Sequence, residues 1–263
     1  MSNSTIRRFT LLIILLIMMG GYLSAQIGDP SMIFLNEDKG VVYNNEMFVE
    51  LKVKTNGIGV GAGFGRIKTF YKSNLTYFSL ENIKSNKEIR QDKKSANFPS
   101  TPYSYGKINT FYVIDAGKSI KYFWSDKDKY KGVLVGYKLG IGVSLGILQP
   151  YYLKVKYALP DDNRLYFKEI KYSPETAAEF LDQDNIIGKS KIFKGITESR
   201  LIPGVHGIAA LHVDFNKSDE FITACELGTK IHLFTNPVSL MAYQKASPLV
   251  LDLFLSLQFG KRK

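Results

Sequence analysis

The sequence predicts an all-β chain: an up-and-down antiparallel β-barrel of about ten strands, with eight or twelve also open. Three observations predict it. Apolar residues alternate with small or polar ones at period two over most of the chain, and successive strand side chains point to opposite faces. Turn chemistry separates the alternating runs, as in Thr55-Asn56-Gly57, Asp115-Ala116-Gly117, residues 125–131 and Asn216-Lys217-Ser218-Asp219. Helical periodicity is nearly absent; only residues 175–182 are expected to make one turn or two.

Composition narrows the classes further. The 263 residues are 45% hydrophobic, with 17 Phe, 16 Tyr and one Trp, so burial can offset the ordering entropy and a disordered chain is excluded. A single Cys excludes a disulfide scaffold, a Cys-based zinc site and an iron–sulfur cluster. Beyond the N-terminus no stretch reaches the ~18 apolar residues of a spanning helix.

Along the chain, the first segment reads as an address. Arg7 and Arg8 precede an apolar run over 11–19, and small residues follow to Ser24-Ala25. This predicts a signal peptide over 1–25, cleaved after Ala25, and a mature chain over 26–263. The run is shorter than the ~20 residues of an anchor helix, and Cys225 is too distant from the cut to carry a lipid.

The strands follow in order. Met47, Val49, Leu51 and Val53 alternate with Phe48, Glu50, Lys52 and Lys54, predicting a strand over 46–54. Ile58, Val60, Ala62 and Phe64 alternate with four glycines over 58–67, and a weaker pattern covers 74–84. Two strands are expected at 105–114 and 118–124, split by Asp115-Ala116-Gly117. Residues 132–146 carry the strongest signal: Val133, Val135, Tyr137, Leu139, Ile141, Val143 and Leu145 on one face, glycines, Lys138 and Ser144 on the other. Segments 150–158, 203–215, 220–234 and 248–259 complete the ten, and 165–172 is expected to add a strand in a loop hairpin.

Two features favour a transmembrane barrel over a soluble sandwich. The face opposite the apolar one mixes Gly, Ser and Ala with isolated charges, as a crowded barrel interior requires. Aromatics also cluster at strand ends, at Phe70-Tyr71, Tyr103 and Tyr105, Tyr122-Phe123-Trp124 and Tyr151-Tyr152, where girdles form at membrane interfaces. Connection lengths agree. With both termini periplasmic, the inner turns at 68–73, 115–117, 147–149 and 216–219 are short, and the extracellular loops at 85–104, 159–202 and 235–247 are long; 55–57 and 125–131 are short outer turns. The expected location is the bacterial outer membrane. The formal charge of +11 is then read as solvated turns and lumen positions, with lipid headgroups or an anion path as the other options, rather than nucleic acid, for which no binding motif is present.

Catalytic signatures are missing. No G-x-S-x-G, H-E-x-x-H, Walker A or zinc-spaced Cys/His set occurs. Gly57-Ile58-Gly59-Val60-Gly61 lacks the helix that a nucleotide loop needs. Ser144 and His206 both face inward, but nothing in the sequence brings them together, so no enzyme, cofactor or metal is expected. The lumen is expected to hold Glu50, Lys52, Lys54, Lys107, Lys138, Lys154, Lys156, His206, His212, Glu226, Lys230, His232 and Asp252. A hairpin turning at 216–219 sets His206 opposite Lys230, with His232 diagonal to it and His212 diagonal to Glu226; a lysine there opposes cation binding. Barrel closure is expected to bring Asp252 to Lys52.

The end of the signal at Ser24-Ala25 before Gln26, and a final strand over 249–259 closing in Gly260-Lys261-Arg262-Lys263, resemble small single-chain outer-membrane β-barrel proteins of the Bacteroidetes type. Tyr105-Gly106-Lys107-Ile108-Asn109 and Leu201-Ile202-Pro203-Gly204 are similar to recurrent stretches of that group. The resemblance implies that Leu253, Leu255, Leu257 and Phe259 present an assembly signal to the barrel-insertion machinery. This chain departs from the commoner form, in which the aromatic is the last residue. The expected role is structural or accessory within an envelope protein complex, with outer-membrane lipid as the other partner. The alternative is a narrow channel or small-ligand transporter with a lysine-rich lumen.

Overall fold

Alternation becomes geometry first in Asn45–Lys54 (β1). Met47, Val49, Leu51 and Val53 stand 57% to 64% exposed, while Phe48, Glu50, Lys52 and Lys54 are at most 6% exposed. A soluble protein buries its aliphatics and hydrates its lysines; this strand does the reverse. The computed structural model describes residues 43–92, 101–124, 133–159, 162–191, 194–216 and 220–263. The expected signal peptide over 1–25, and much of the turns at 125–131 and 216–219, lie outside the described residues.

The remaining strands are β2 (Gly57–Thr69), β3 (Lys72–Ile83), β4 (Arg90–Gln91), β5 (Tyr103–Ser104), β6 (Asn109–Phe123), β7 (Leu134–Pro150), β8 (Tyr152–Leu159), β9 (Asp162–Lys171), β10 (Ile186–Lys189), β11 (Arg200–Asp214), β12 (Phe221–Val238) and β13 (Ser247–Arg262). Eight of them close a barrel in the order β1-β13-β12-β11-β7-β6-β3-β2. All neighbours are antiparallel. The last strand returns to the first, with Val49 opposite Phe259 and Lys52 opposite Ser256. Closure removes the unpaired edge that an open sheet would present.

Eight strands replace the expected ten, for two reasons. Asp115-Ala116-Gly117 is not a turn: β6 runs straight through it, with Asp115 opposite both Ser79 and Ser144. Turn-forming residues sit mid-strand there because Asp115 points into a polar interior and Gly117 lies beneath Tyr77. A Cβ at Gly117 would come within 2.6 Å of the Tyr77 hydroxyl. The segment expected at 150–158 forms β8, which leaves the barrel for a separate sheet of order β10-β8-β9. Its alternation serves a small water-facing core, where Leu153 and Val155 pack with Tyr103, Ile170, Phe180 and Ile186. The expected connection at 147–149 is likewise part of β7. Of the segment expected at 165–172, β9 covers 165–171, and one helical turn forms at Ala177–Phe180.

The connections sort by end. At the rim where β1 begins and β13 ends (the terminal rim), β2 ends and β3 begins, β6 ends and β7 begins, and β11 ends and β12 begins, so the strands flanking the expected turn at 125–131 meet at this rim and not at the opposite one. At the far rim lie the described parts of the connections from β3 to β6, β7 to β11 and β12 to β13, which carry β4, β5 and the three-stranded sheet. Rings gather outside the terminal rim: Tyr137 lies 5.6 Å from Tyr122 and 5.4 Å from Trp124, with Phe215 and Phe221 exposed nearby. Phe123 instead turns inward against His212. Tyr103, Tyr105, Tyr151 and Tyr152 belong to the far connections rather than to a second girdle on the barrel wall.

Candidate functional site

Inward positions of the eight strands build one buried polar column. β12 supplies Lys230, whose ammonium donates to Glu81 of β3 at 2.8 Å and to Asp115 of β6 at 2.5 Å. Lys54 of β1 donates to Glu81 at 2.7 Å and to Asp252 of β13 at 2.8 Å. Nearer the terminal rim, Lys52 pairs with Glu50 at 2.7 Å and Lys138 of β7 with Glu226 of β12 at 3.0 Å. His212 meets the other oxygen of Glu226 at 2.9 Å. Lys121 lies 3.6 Å from Glu46 and 4.5 Å above the Phe48 ring. At the terminal rim itself, Arg262 bonds Asp214 at 2.8 Å. Isolated ions would be very costly to bury, and each is held here by an opposite charge on its own strand or on another.

Above this column, toward the far rim, the interior becomes apolar. Ile83, Phe111, Val113, Leu148, Ile202, Phe234 and Val238 pack as one cluster, with Phe111 and Phe234 edge to face at 5.1 Å. A ring of eight strands leaves little interior beyond side-chain volume, and these rings fill it.

A serine, a histidine and an aspartate do meet. Ser144 donates to Asp115 at 2.6 Å and lies 2.8 Å from His206 Nδ1. Tyr77 is 2.7 Å from His206 Nε2. Satisfying all three contacts assigns the protons: Ser144 to Asp115, His206 Nδ1–H to Ser144, and Tyr77 O–H to Nε2. A nucleophile relay needs the opposite arrangement, with serine donating to histidine and the carboxylate on the far nitrogen. These groups are also sealed within the barrel, Ser144 and His206 each 4% exposed. The trio is a satisfied polar layer.

Glu81, Asp115 and His232 bring three ligating atoms within 4.8 Å of one another. The Lys230 ammonium bonded to both carboxylates already supplies the positive charge a metal ion would bring.

Of the residues expected in the lumen, Glu50, Lys52, Lys54, Lys138, His206, His212, Glu226, Lys230, His232 and Asp252 lie on barrel strands and are buried. Three stand elsewhere. Lys107 lies just before β6, paired with Glu88 at 2.8 Å, and Lys154 and Lys156 belong to β8 in the separate sheet. Asp252 meets Lys54 rather than Lys52, because the β1–β13 register sets Lys52 opposite Ser256. The β11–β12 hairpin is shifted by two from the expected sum, so His206 faces His232 and His212 faces Glu226 directly. Sequence reading passed over Glu46, Glu81, Lys121, Asp214 and Arg262, and hid Asp115 in a turn. Strand parity would have recovered Glu46, Glu81 and Lys121. With these acids present, the lumen is close to charge-balanced rather than lysine-rich.

No protein-family model matches the chain, and no curated protein matches its sequence. Among solved structures it is similar to Neisserial surface protein A, at 8% identity, 84% of this chain, 97% of that chain and a TM-score of 0.37. It is also similar to Ail, the attachment invasion locus protein of Yersinia pestis, in complex with the heparin analogue sucrose octasulfate. There the identity is 11%, the coverage 84% of this chain and 97% of that chain, and the TM-score 0.37. The N-terminal β-barrel domain of Pseudomonas aeruginosa OprF gives 8%, 82% and 98%, with a TM-score of 0.29. At such values the barrel of this chain rests on its own closed ladder of hydrogen bonds.

Proposed function

We propose that this chain is a bacterial outer-membrane β-barrel with a structural or accessory role in an envelope assembly. The observation that carries the membrane reading is the inverted wall. On β13, Leu249, Leu251, Leu253, Leu255, Leu257 and Phe259 are 42% to 57% exposed, while Asp252, Phe254, Ser256 and Gln258 are at most 3% exposed. Water would make such a wall an aggregation surface. Lipid makes it a solvent match, provided every backbone group is paired internally, as in a closed barrel. Export with cleavage after Ala25, and the Bacteroidetes-type resemblance, belong to the same reading. So does the assembly signal: Leu253, Leu255, Leu257 and Phe259 all face outward on the closing strand.

The accessory role is supported by what surrounds the barrel. The lumen is filled by ion pairs and an apolar cluster, so the far-rim sheet is the surface left for interaction. Its β8–β9 face carries Tyr157 stacked on Tyr166 at 5.7 Å, and Phe167 is 54% exposed. Gentle solubilisation of membranes followed by affinity capture of the chain tests it: stable co-purification of envelope proteins is expected, and recovery only as a lone monomer overturns it. The channel alternative requires the Lys230–Glu81–Asp115 cluster and the Phe111–Phe234 pair to part. Planar-bilayer recordings are expected to show no conductance steps.

A further inference from the structure

The far end of the molecule holds a second polar concavity, separate from the lumen column. Between the β1–β2 turn, the connection after β3 and the β10 edge of the small sheet lies a cleft of about 730 Å³, within the range of small-molecule sites. Its walls draw Lys84, Arg90, Lys107, Lys189, Lys191 and Lys194 together from separate stretches of chain. One carboxylate, Glu88, lines the cleft, and Lys107 takes it at 2.8 Å. Lys194 pairs with Glu169. Lys84, Arg90, Lys189 and Lys191 form no ion pair among the described residues.

Four cations without an ion pair among the described residues, gathered around one concavity, repel one another and focus a positive potential into it. The same chain pairs its buried lumen lysines with carboxylates, so the imbalance here is local. The two paired cations also rest on aromatic rings: Lys107 stands 5.4 Å over the Tyr151 ring and Lys194 5.3 Å over the Tyr152 ring. The lining also includes the neutral polar residues Asn56, Asn82, Asn86 and Thr110. The Asn56 Oδ1 atom is buried there with no hydrogen-bond partner among the described residues, although its amide nitrogen donates to Leu251 O. A buried acceptor without a donor is costly and calls for a hydroxyl or amide from outside.

We propose that this cleft binds a phosphate- or sulfate-bearing saccharide. The anionic groups meet Lys84, Lys189 and Lys191 as point charges and the Arg90 guanidinium through paired oxygens. A sugar hydroxyl donates to Asn56 Oδ1. The site goes beyond the accessory role and stands whether or not the barrel joins an assembly. The same chemistry is offered by a glycolipid headgroup and by a soluble glycan.

Calorimetry on the purified full chain, folded in neutral detergent, tests it with a glucosamine disaccharide bisphosphate and its unphosphorylated counterpart. Binding of the first and none of the second is expected. The triple variant Arg90→Gln, Lys189→Gln, Lys191→Gln is expected to weaken binding by about tenfold or more. Lys68→Gln with Lys72→Gln, at the terminal rim, is expected to leave it unchanged. Asn56→Ala separates the hydroxyl contact from the charges and is expected to weaken binding without altering its salt dependence. Failure of both the bisphosphate and a polysulfated disaccharide to bind overturns the proposal, as does equal loss from the two lysine sets, which would mean diffuse charge alone. Stronger capture of phosphatidylcholine vesicles carrying the acylated bisphosphate than of the free disaccharide assigns a membrane headgroup; equal affinity assigns a soluble glycan. Because these readouts use the isolated chain, their failure is distinct from a failure of co-purification.

Discussion

Single buried charges decide how the lumen holds together. Lys230 is the one lysine paired with both Glu81 and Asp115 among the described residues, so Lys230→Met would leave Asp115 without a lysine partner, facing a Glu81 still held by Lys54. Breaking a buried pair this way costs about 3–5 kcal/mol. A matching fall in the temperature at which the folded gel band is lost checks it; an unchanged transition means the column contributes nothing net. A second residue-scale prediction lies outside the barrel. Tyr105 shares a hydrogen bond with exposed Tyr243 at 3.3 Å, and that bond, with burial, pushes its hydroxyl up to about 12. A raised phenol favours the protonated folded form, so the contact is complete below the ordinary tyrosine range near 10 and is lost as pH climbs from there toward 12. Ultraviolet titration should find one tyrosine ionising late, and Tyr243→Phe should return it toward the others. Residue identities were partly legible in sequence. Parity marked Glu50, Lys52, Lys54 and Asp252 as inward, but which lysine meets Asp252 depends on strand stagger, and period two carries no stagger.

Elements were read well where alternation was long and failed where local chemistry resembled a turn or a soluble strand. Asp115-Ala116-Gly117 has turn composition, yet its Gly is there for space. Gly117→Ala would push a Cβ against both the Ile141 carbonyl and the Tyr77 ring and disturb the Tyr77–His206 bond, for a cost of about 1–3 kcal/mol. If the cost comes through that bond, Gly117→Ala combined with Tyr77→Phe should be less destabilising than the sum of the two. Strict additivity in unfolding measurements would show the glycine acting elsewhere. β8 failed for the opposite reason. Its pattern is real, but it packs Leu153 and Val155 against Phe180 and Ile186, and alternation does not say whether the apolar face meets lipid or another sheet.

At the scale of the whole molecule, the wall and the column make one claim about solvent. Ile141, near the middle of β7, is 75% exposed on the outer face. Ile141→Arg should cost about 2–4 kcal/mol if that face lies at the bilayer midplane. In water the same change would be near neutral. Refolding the variant into lipid vesicles and comparing denaturant midpoints separates the cases. The alternation, the scarcity of helix and the polar inner face were all determined by the order of residues, because period two is a property of one strand. Closure at eight strands, the departure of β8–β10, the pairing of Lys54 with Asp252 and the cationic cleft at the far rim were decided only in three dimensions. Each depends on which distant segments become neighbours, a choice made by packing and charge pairing across the barrel rather than along the chain.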